Sequence, residues 1–281
     1  MTHVAPQPLT VVDICAAMEA AYPPHLAESW DKVGLAVGDP QAEVTSVAFA
    51  LDPTGSVVEE AAARGCQMLI THHPLLLRGV NYLPVTDGKG KLVTALIRNG
   101  IAQFAAHTNA DSARPGVNDA LLEALEIIPG VALEPIPGTV TADNPGGLGI
   151  GRIGELATPL PFAEFVHYVA NHLPATSWGV RGAGDPDRLI TTVAVASGSG
   201  GSFLEAADRL GADVLVTSDL KHHIVNDHLA NSSMCVVDTA HWASESPWVR
   251  QAADVVAAAT GVETIVIDIC TDPFNLAARA V

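Results

Sequence analysis

Basic side chains are scarce. Fourteen Lys and Arg face 31 Asp and Glu, a formal charge of −17 at pH 7. A surface of that sign repels phosphate backbones and acidic lipid, which argues against binding nucleic-acid polymers or membrane surfaces and means that an anionic ligand needs a local positive centre. Aromatic residues amount to only 5%. No window holds the ~18 consecutive apolar residues of a membrane span, and the opening MTHVAPQP lacks the basic and apolar regions of a secretory leader. Both absences lead to the expectation of a cytoplasmic protein. The four cysteines, Cys15, Cys66, Cys235 and Cys270, are far apart, form no CxxC pair and show no short spacing that would suggest zinc ligation. They are expected to be buried, reduced thiols.

What is present is a chain of 281 residues, 48% hydrophobic against 16% charged, long enough to bury a real core as one large domain or two ordinary ones. It matches itself without gaps. Residues 47–71, VAFALDPTGSVVEEAAARGCQMLIT, align with 193–217, VAVASGSGGSFLEAADRLGADVLVT, at an offset of 146, with ten of 25 pairs identical. Each copy reads as an apolar strand, a Gly-containing loop ending in a Ser N-cap, a helix closed by Gly, and a second apolar strand ending in Thr. Apolar runs without polar alternation, joined by a helix, imply parallel strands covered on both faces, with the ligand crevice beyond their carboxyl ends. The expectation is an α/β fold of two similar lobes related by internal duplication, residues 1–130 and 153–281. The Pro- and Gly-rich stretch 131–152 joins them, and a dinuclear metal site lies in the cleft between them.

Thr71 and Thr217 mark two such strand ends. The first leads into His72 and His73, whose imidazoles, on adjacent residues, are expected to diverge towards two neighbouring ions. A structural alternative is a pair of strand-end histidines bonded to backbone. The apolar run IAQFA delivers His107 and then Asp111; a carboxylate suits a divalent ion beside neutral nitrogen ligands, although Asp111 also reads as a cap of the helix that follows. In VVDTAHWASESPWV, His241 and Glu245 stand four apart, the spacing of one helical face, just before Ser246 and Pro247 open a long helix. A polar helix entry is the plain reading of that pair. Three such segments, each following a strand-like run, together point to a two-metal site. In it His72, Asp111 and Glu245 hold one ion, and His73, His241 and Glu245 the other. Nitrogen and oxygen donors without thiolate fit Zn, Mn, Fe, Co or Ni. His107 and Asp219 are the proton-shuttle candidates. The segment TSDLKHHIVNDH is not read as a separate metal site, because His222 and His223 cannot share a helical face; Asp219 and one imidazole are expected to line the cleft from the opposite lobe. The loop SGSGGS, 197–202, reads as a connector in preference to a phosphate cradle, since it lacks the Lys-Ser/Thr of a P-loop.

The stretches ESWDKVGLAVGDP, ITHHPLLLRG, AAHTNADSARPGVNDAL, VTSDLKHH and DTAHWASES, in this order, resemble the GTP cyclohydrolase I type 2 homolog family, also called the Ngg-interacting-factor-three-like proteins. The resemblance covers nearly the whole chain. It implies two α/β lobes, a dinuclear metal centre on His72, His73, Asp111, His241 and Glu245, and a toroidal homohexamer. Two positions depart from the family pattern: Lys32 stands where Asn is frequent and Ser218 where Gly is common. Two functions of different class follow. One is a hydrolase whose ions activate water against a small anionic substrate such as a nucleotide. The other is a metal-binding regulatory or scaffold protein whose ions serve stability.

Overall fold

The apolar runs at 46–50, 68–71 and 102–105 form strands buried along their whole length in the computed structural model, which describes residues 8–278. Most of the opening MTHVAPQP lies outside the described residues. The first part of the chain gives α1 (Val11–Ala21), β1 (Gly34–Val37), β2 (Ser46–Ala50), α2 (Gly55–Ala63), β3 (Met68–Thr71), α3 (Gly88–Arg98), β4 (Ala102–Ala105), α4 (Thr108–Ser112) and α5 (Val117–Ala124). A two-residue ribbon of β5 (Glu134–Pro135) and β6 (Gly149–Ile150) occupies the Pro- and Gly-rich stretch. Then come β7 (Arg152–Pro161), α6 (Phe162–His172), β8 (Arg181–Ala183), β9 (Leu189–Ser199), α7 (Leu204–Arg209), β10 (Val214–Ser218) and α8 (His222–Asn231). The series ends with β11 (Cys235–Thr239), α9 (His241–Glu245), α10 (Pro247–Thr260) and β12 (Glu263–Val266).

Two compact units result. One comprises the described chain through Ala110 together with Val249–Ile269; the other comprises Asp111–Trp248 together with the chain from Cys270. In the first unit the sheet order is β1-β4-β3-β2-β12, with β4, β3, β2 and β12 parallel and β1 antiparallel. Helices α2 and α3 cover it, Val57, Val58, Ala61, Val93 and Leu96 packing on Ala48, Ala50 and Leu69. Burying each larger aliphatic side chain here stabilises by about 1.5–3 kcal/mol. Asp87 caps α3 by accepting the amides of Lys89 and Gly90 at 2.9 and 3.3 Å.

In the second unit the order is β7-β9-β10-β11-β8, with β9, β10 and β11 parallel and both edge strands antiparallel. Helix α7 sets Leu204, Ala206 and Ala207 against Ala194, Ala196 and Leu215. Both stretches matched at the offset of 146 therefore form parallel βαβ units, β2-α2-β3 and β9-α7-β10. Their helices start differently from the sequence reading. Ser56 lies inside α2, whose N-cap is Thr54, and Ser202 lies in a 3-10 turn before α7.

The sequence reading runs the second lobe unbroken over 153–281, whereas residues 249–269 join the first unit. The reason is β12, which pairs in parallel with β2 from Glu263 opposite Ser46 to Val266 opposite Phe49. Cys15, Cys66 and Cys235 are buried free thiols as expected, but Cys270 is exposed. Among the described residues no helix is long and apolar enough to cross a membrane.

Candidate metal centre

In the first unit the parallel strands deliver histidines at their carboxyl ends. Strand β3 stops at Thr71, whose hydroxyl donates to the carbonyl of His73 at 2.7 Å, tightening the chain into a turn. Gln103 in turn donates to the Thr71 hydroxyl at 3.0 Å. The turn brings the two imidazoles together where divergence was expected: their centroids are 5.0 Å apart, and His107, just beyond β4, lies 5.1 and 5.6 Å from them. One ligand atom from each of His72, His73 and His107 lies within 4.8 Å of the others, a group able to hold a metal ion. His107, read from the sequence as a shuttle, thus stands as a ligand candidate too.

Each ring is fixed through Nδ1. His72 Nδ1 lies 2.9 Å from the Ala106 carbonyl, which can only accept, so Nδ1 carries a proton. His73 Nδ1 meets Asp52 Oδ1 at 2.6 Å, and His107 Nδ1 meets Asp31 Oδ1 at 2.9 Å. Burial opposes the charge on Asp31. The bonds from His107 and from the Thr108 hydroxyl and amide outweigh that, holding its carboxyl well below the usual carboxylate range. Asp31 is therefore an ionised acceptor for the Nδ1–H of His107. Metal-ligating histidines are oriented in this way, with the second nitrogen bonded to a carbonyl or carboxylate.

In the second unit α9 is the single turn that the sequence implied, and it places His241 Nε2 3.1 Å from Glu245 Oε2. His241 Nδ1 meets Asp219 Oδ2 at 2.7 Å. Asp219 has φ 57°, the left-handed region that a non-glycine residue enters at a cost. With Nδ1–H donated to Asp219, a neutral His241 would turn its Nε2 lone pair towards a carboxylate oxygen. Two lone pairs at 3.1 Å repel, so a cation, proton or metal ion, belongs in that contact. Gly198 adds a cradle: a Cβ there would lie 2.2 Å from Glu245 Oε1 and 3.1 Å from His241 Nε2. Donor chemistry fits a divalent ion at the His72, His73 and His107 group of the first unit, and the His241–Glu245 pair of the second offers two further donors.

Asp111 sits on α4, its carbonyl accepting from Asn118 at 3.1 Å, and it does not cap α5, where Asp119 accepts the Gly116 amide. Asp219, the other proton-shuttle candidate, belongs to the same unit as His241 and its carboxylate meets that ring. His222 and His223 are exposed at the start of α8 and belong to neither unit's histidine group. In SGSGGS the amides of Ser197, Gly198 and Gly200 already donate to Asn118, Ser244 and Thr217, which fits the connector reading. Ser218 is fully buried with its hydroxyl bonded inside the unit, and Lys32 is exposed.

Sequence reasoning missed Asp31 and Asp52. The carboxyl-edge rule itself held the signal for Asp52, which lies two residues past β2. For Asp31 the signal was thin, an acid beside the exposed Trp30 in ESWDKVG.

A family model described as Duf34/NIF3 (NGG1p interacting factor 3) matches residues 9–273. A protein of Streptomyces coelicolor named GTP cyclohydrolase 1 type 2 homolog is 44% identical over 236 residues, covering 84% of this chain and 81% of its own. One of the same name from Mycobacterium tuberculosis is 34% identical, covering 95% and 97%. The crystal structure of a Staphylococcus aureus hypothetical protein superposes with a TM-score of 0.86 at 27% identity, covering 95% of this chain and 99% of that one.

Proposed function

Because the chain belongs to the Duf34/NIF3 family, we propose that its histidine and carboxylate groups hold two divalent metal ions and that it is a metal-dependent hydrolase of a small anionic substrate. The ligand set is His72, His73, Asp111, His241 and Glu245, with Glu245 shared by both ions. The observation that carries this reading is the group of three imidazoles, His72, His73 and His107, with one ligand atom from each within 4.8 Å of the others, together with the His241–Glu245 pair at 3.1 Å. A bound divalent ion supplies Lewis acidity and lowers the pKa of water towards ~7. The donor set, without thiolate, suits Zn, Mn, Fe, Co or Ni.

The protein's own groups do the rest. Asp52, Asp31 and Asp219 hold the rings of His73, His107 and His241 through Nδ1. His107, its Nδ1 proton committed to Asp31, accepts and returns a proton at Nε2. Trp30 is 55% exposed and meets His107 edge to face at 5.9 Å, which offers an indole surface for a planar base to stack on. A nucleotide fits that surface, and the relatives' name makes GTP the first to test, with water added at C8 of the purine. In a chain of charge −17 the ions also provide the positive centre that an anion needs.

The same reading includes self-association into a homohexamer. It is supported by the exposed apolar run of Val80, Tyr82, Leu83 and Val85, to be checked by light scattering. Elemental analysis of protein purified without added metal tests the centre. Two ions per chain are expected; none, even after loading, ends the proposal. Metal that raises the melting temperature, with no turnover across nucleotides, phosphoesters and cyclic amides, gives the centre a structural role instead.

A further inference from the structure

A chain of buried hydroxyls runs behind α9. The Ser244 hydroxyl donates to the His241 carbonyl at 2.8 Å, since a carbonyl can only accept. Its oxygen accepts the Gly198 amide at 2.9 Å and the Ser218 hydroxyl at 3.2 Å. Ser218 lies 2.9 Å from the Thr239 hydroxyl, which also reaches the carbonyls of Thr217 and Ala240 at 3.3 Å. The three hydroxyls thus form one connected run, Thr239, Ser218 and Ser244, that ends on the His241 carbonyl, and all three residues are at most 1% exposed. Thr217 closes the other side of the loop, accepting the Gly200 amide at 2.9 Å and donating to the Gly198 carbonyl at 3.2 Å.

Gly198 is therefore held by both its amide and its carbonyl, in a left-handed conformation with φ 61°. It is held against the candidate ligands. With a Cβ at that position falling 2.2 Å from Glu245 Oε1, the backbone of Gly198 sets the limit on how far the carboxylate can swing. Ser244 lies in the same helical turn as His241 and Glu245, and one oxygen atom ties that turn to the loop. Breaking the link from Ser244 to Gly198 or to the His241 carbonyl leaves a desolvated polar group, which holds the turn and the loop together.

We infer that Ser244 and Gly198 are positioning residues for the cation site: the Thr239–Ser218–Ser244 hydroxyl chain, acting through Gly198, fixes the Glu245 carboxylate and the His241 ring in the geometry a divalent ion needs. The inference rests on the metal-site reading above. It adds that affinity is set by groups that touch no ion, and it gives Ser218 a role in the hydroxyl run behind α9.

The test compares wild type with Ser244→Ala, Gly198→Ala and Ser218→Ala, using Mn2+ or Zn2+ alone in competition with a chelator, and the visible spectrum of Co2+-loaded protein. The unfolding of each metal-free protein is recorded alongside. Ser244→Ala is expected to weaken binding about ten- to a hundredfold, the effect typical of groups that orient ligands, and to alter the Co2+ bands while metal-free unfolding stays cooperative. Gly198→Ala is expected to lose one ion equivalent. Ser218→Ala keeps the tie between Ser244 and Gly198, so it is expected to cost less, and it carries the test if Ser244→Ala does not fold. Wild type binding two ions, with variants matching it in affinity and spectrum, overturns the inference and leaves the metal reading standing. Wild type binding none removes both, and the wild-type measurement alone tells the two failures apart.

Discussion

Asp119 grips Arg152 with two parallel hydrogen bonds, Nε to Oδ1 at 2.9 Å and Nη2 to Oδ2 at 3.0 Å, and both side chains are essentially sealed from water. The other guanidinium donors reach the carbonyls of Gly149, Gly151 and Ala113 at 2.5, 2.8 and 2.6 Å. The network ties the glycine-rich end of the connector to the start of α5. Removing one partner leaves an uncompensated buried charge, so Asp119→Ala is expected to lose about 3–5 kcal/mol in urea unfolding. A loss below ~1 kcal/mol would mean that the three carbonyls suffice.

Asp213 bears on acid stability. Burial pushes its carboxyl up, but the Thr192 and Thr191 amides and the Arg188 guanidinium outweigh that and leave it below its ordinary value. A depressed folded-state pKa contributes stability that is complete above the unfolded value of ~3.9 and disappears as pH falls through the folded one. Between pH 5 and 2, Asp213→Asn should therefore lose less stability than wild type while being the weaker protein at pH 7. Parallel curves of unfolding free energy against pH would refute it.

Asp52 touches His73 and no candidate ion. Asp52→Asn keeps the shape but removes the charge behind the ring, so metal affinity should drop about ten- to a hundredfold. Chelator competition reads this directly, and an unchanged affinity would leave Asp52 a turn residue.

Trp30 should matter to ligand and not to fold, being 55% exposed. Stacking on an aromatic platform is worth about 1–3 kcal/mol per base. Trp30→Ala should accordingly weaken nucleotide binding about five- to 150-fold with an unaltered melting temperature, and Trp30→Phe should recover part of it. Equal titrations of wild type and Trp30→Ala would remove the indole from the site.

Stripping metal should lower the melting temperature, and returning it at a hundred times its dissociation constant should restore about 2.7 kcal/mol. Glu245→Gln should forfeit most of that gain. Calorimetry with and without chelator supplies the comparison.

The two βαβ units were legible because their signal is local: an apolar strand, a helix and a second strand lie within 25 residues of one another. The i, i+4 pair on α9 was legible for the same reason. Strand β12 was not, since ETIV reads alike whichever sheet receives it and its partner β2 stands near the other end of the chain. The approach of the His72 and His73 rings was hidden as well, because it depends on the Thr71 hydroxyl folding the chain back at His73. Asp52 and Asp31 escaped because a carboxylate beside Pro or Trp looks the same whether it faces solvent or an imidazole 2.6 or 2.9 Å away.

The late arrival of β12 bears on how the chain is born. Until residues 263–266 have left the ribosome, the fully buried β2 has an open flank, a row of amides and carbonyls ready to pair with a neighbouring nascent chain. The sheet whose strands are translated first is thus the last to be completed, and a ribosome stalled after α9 would release a product with that edge open.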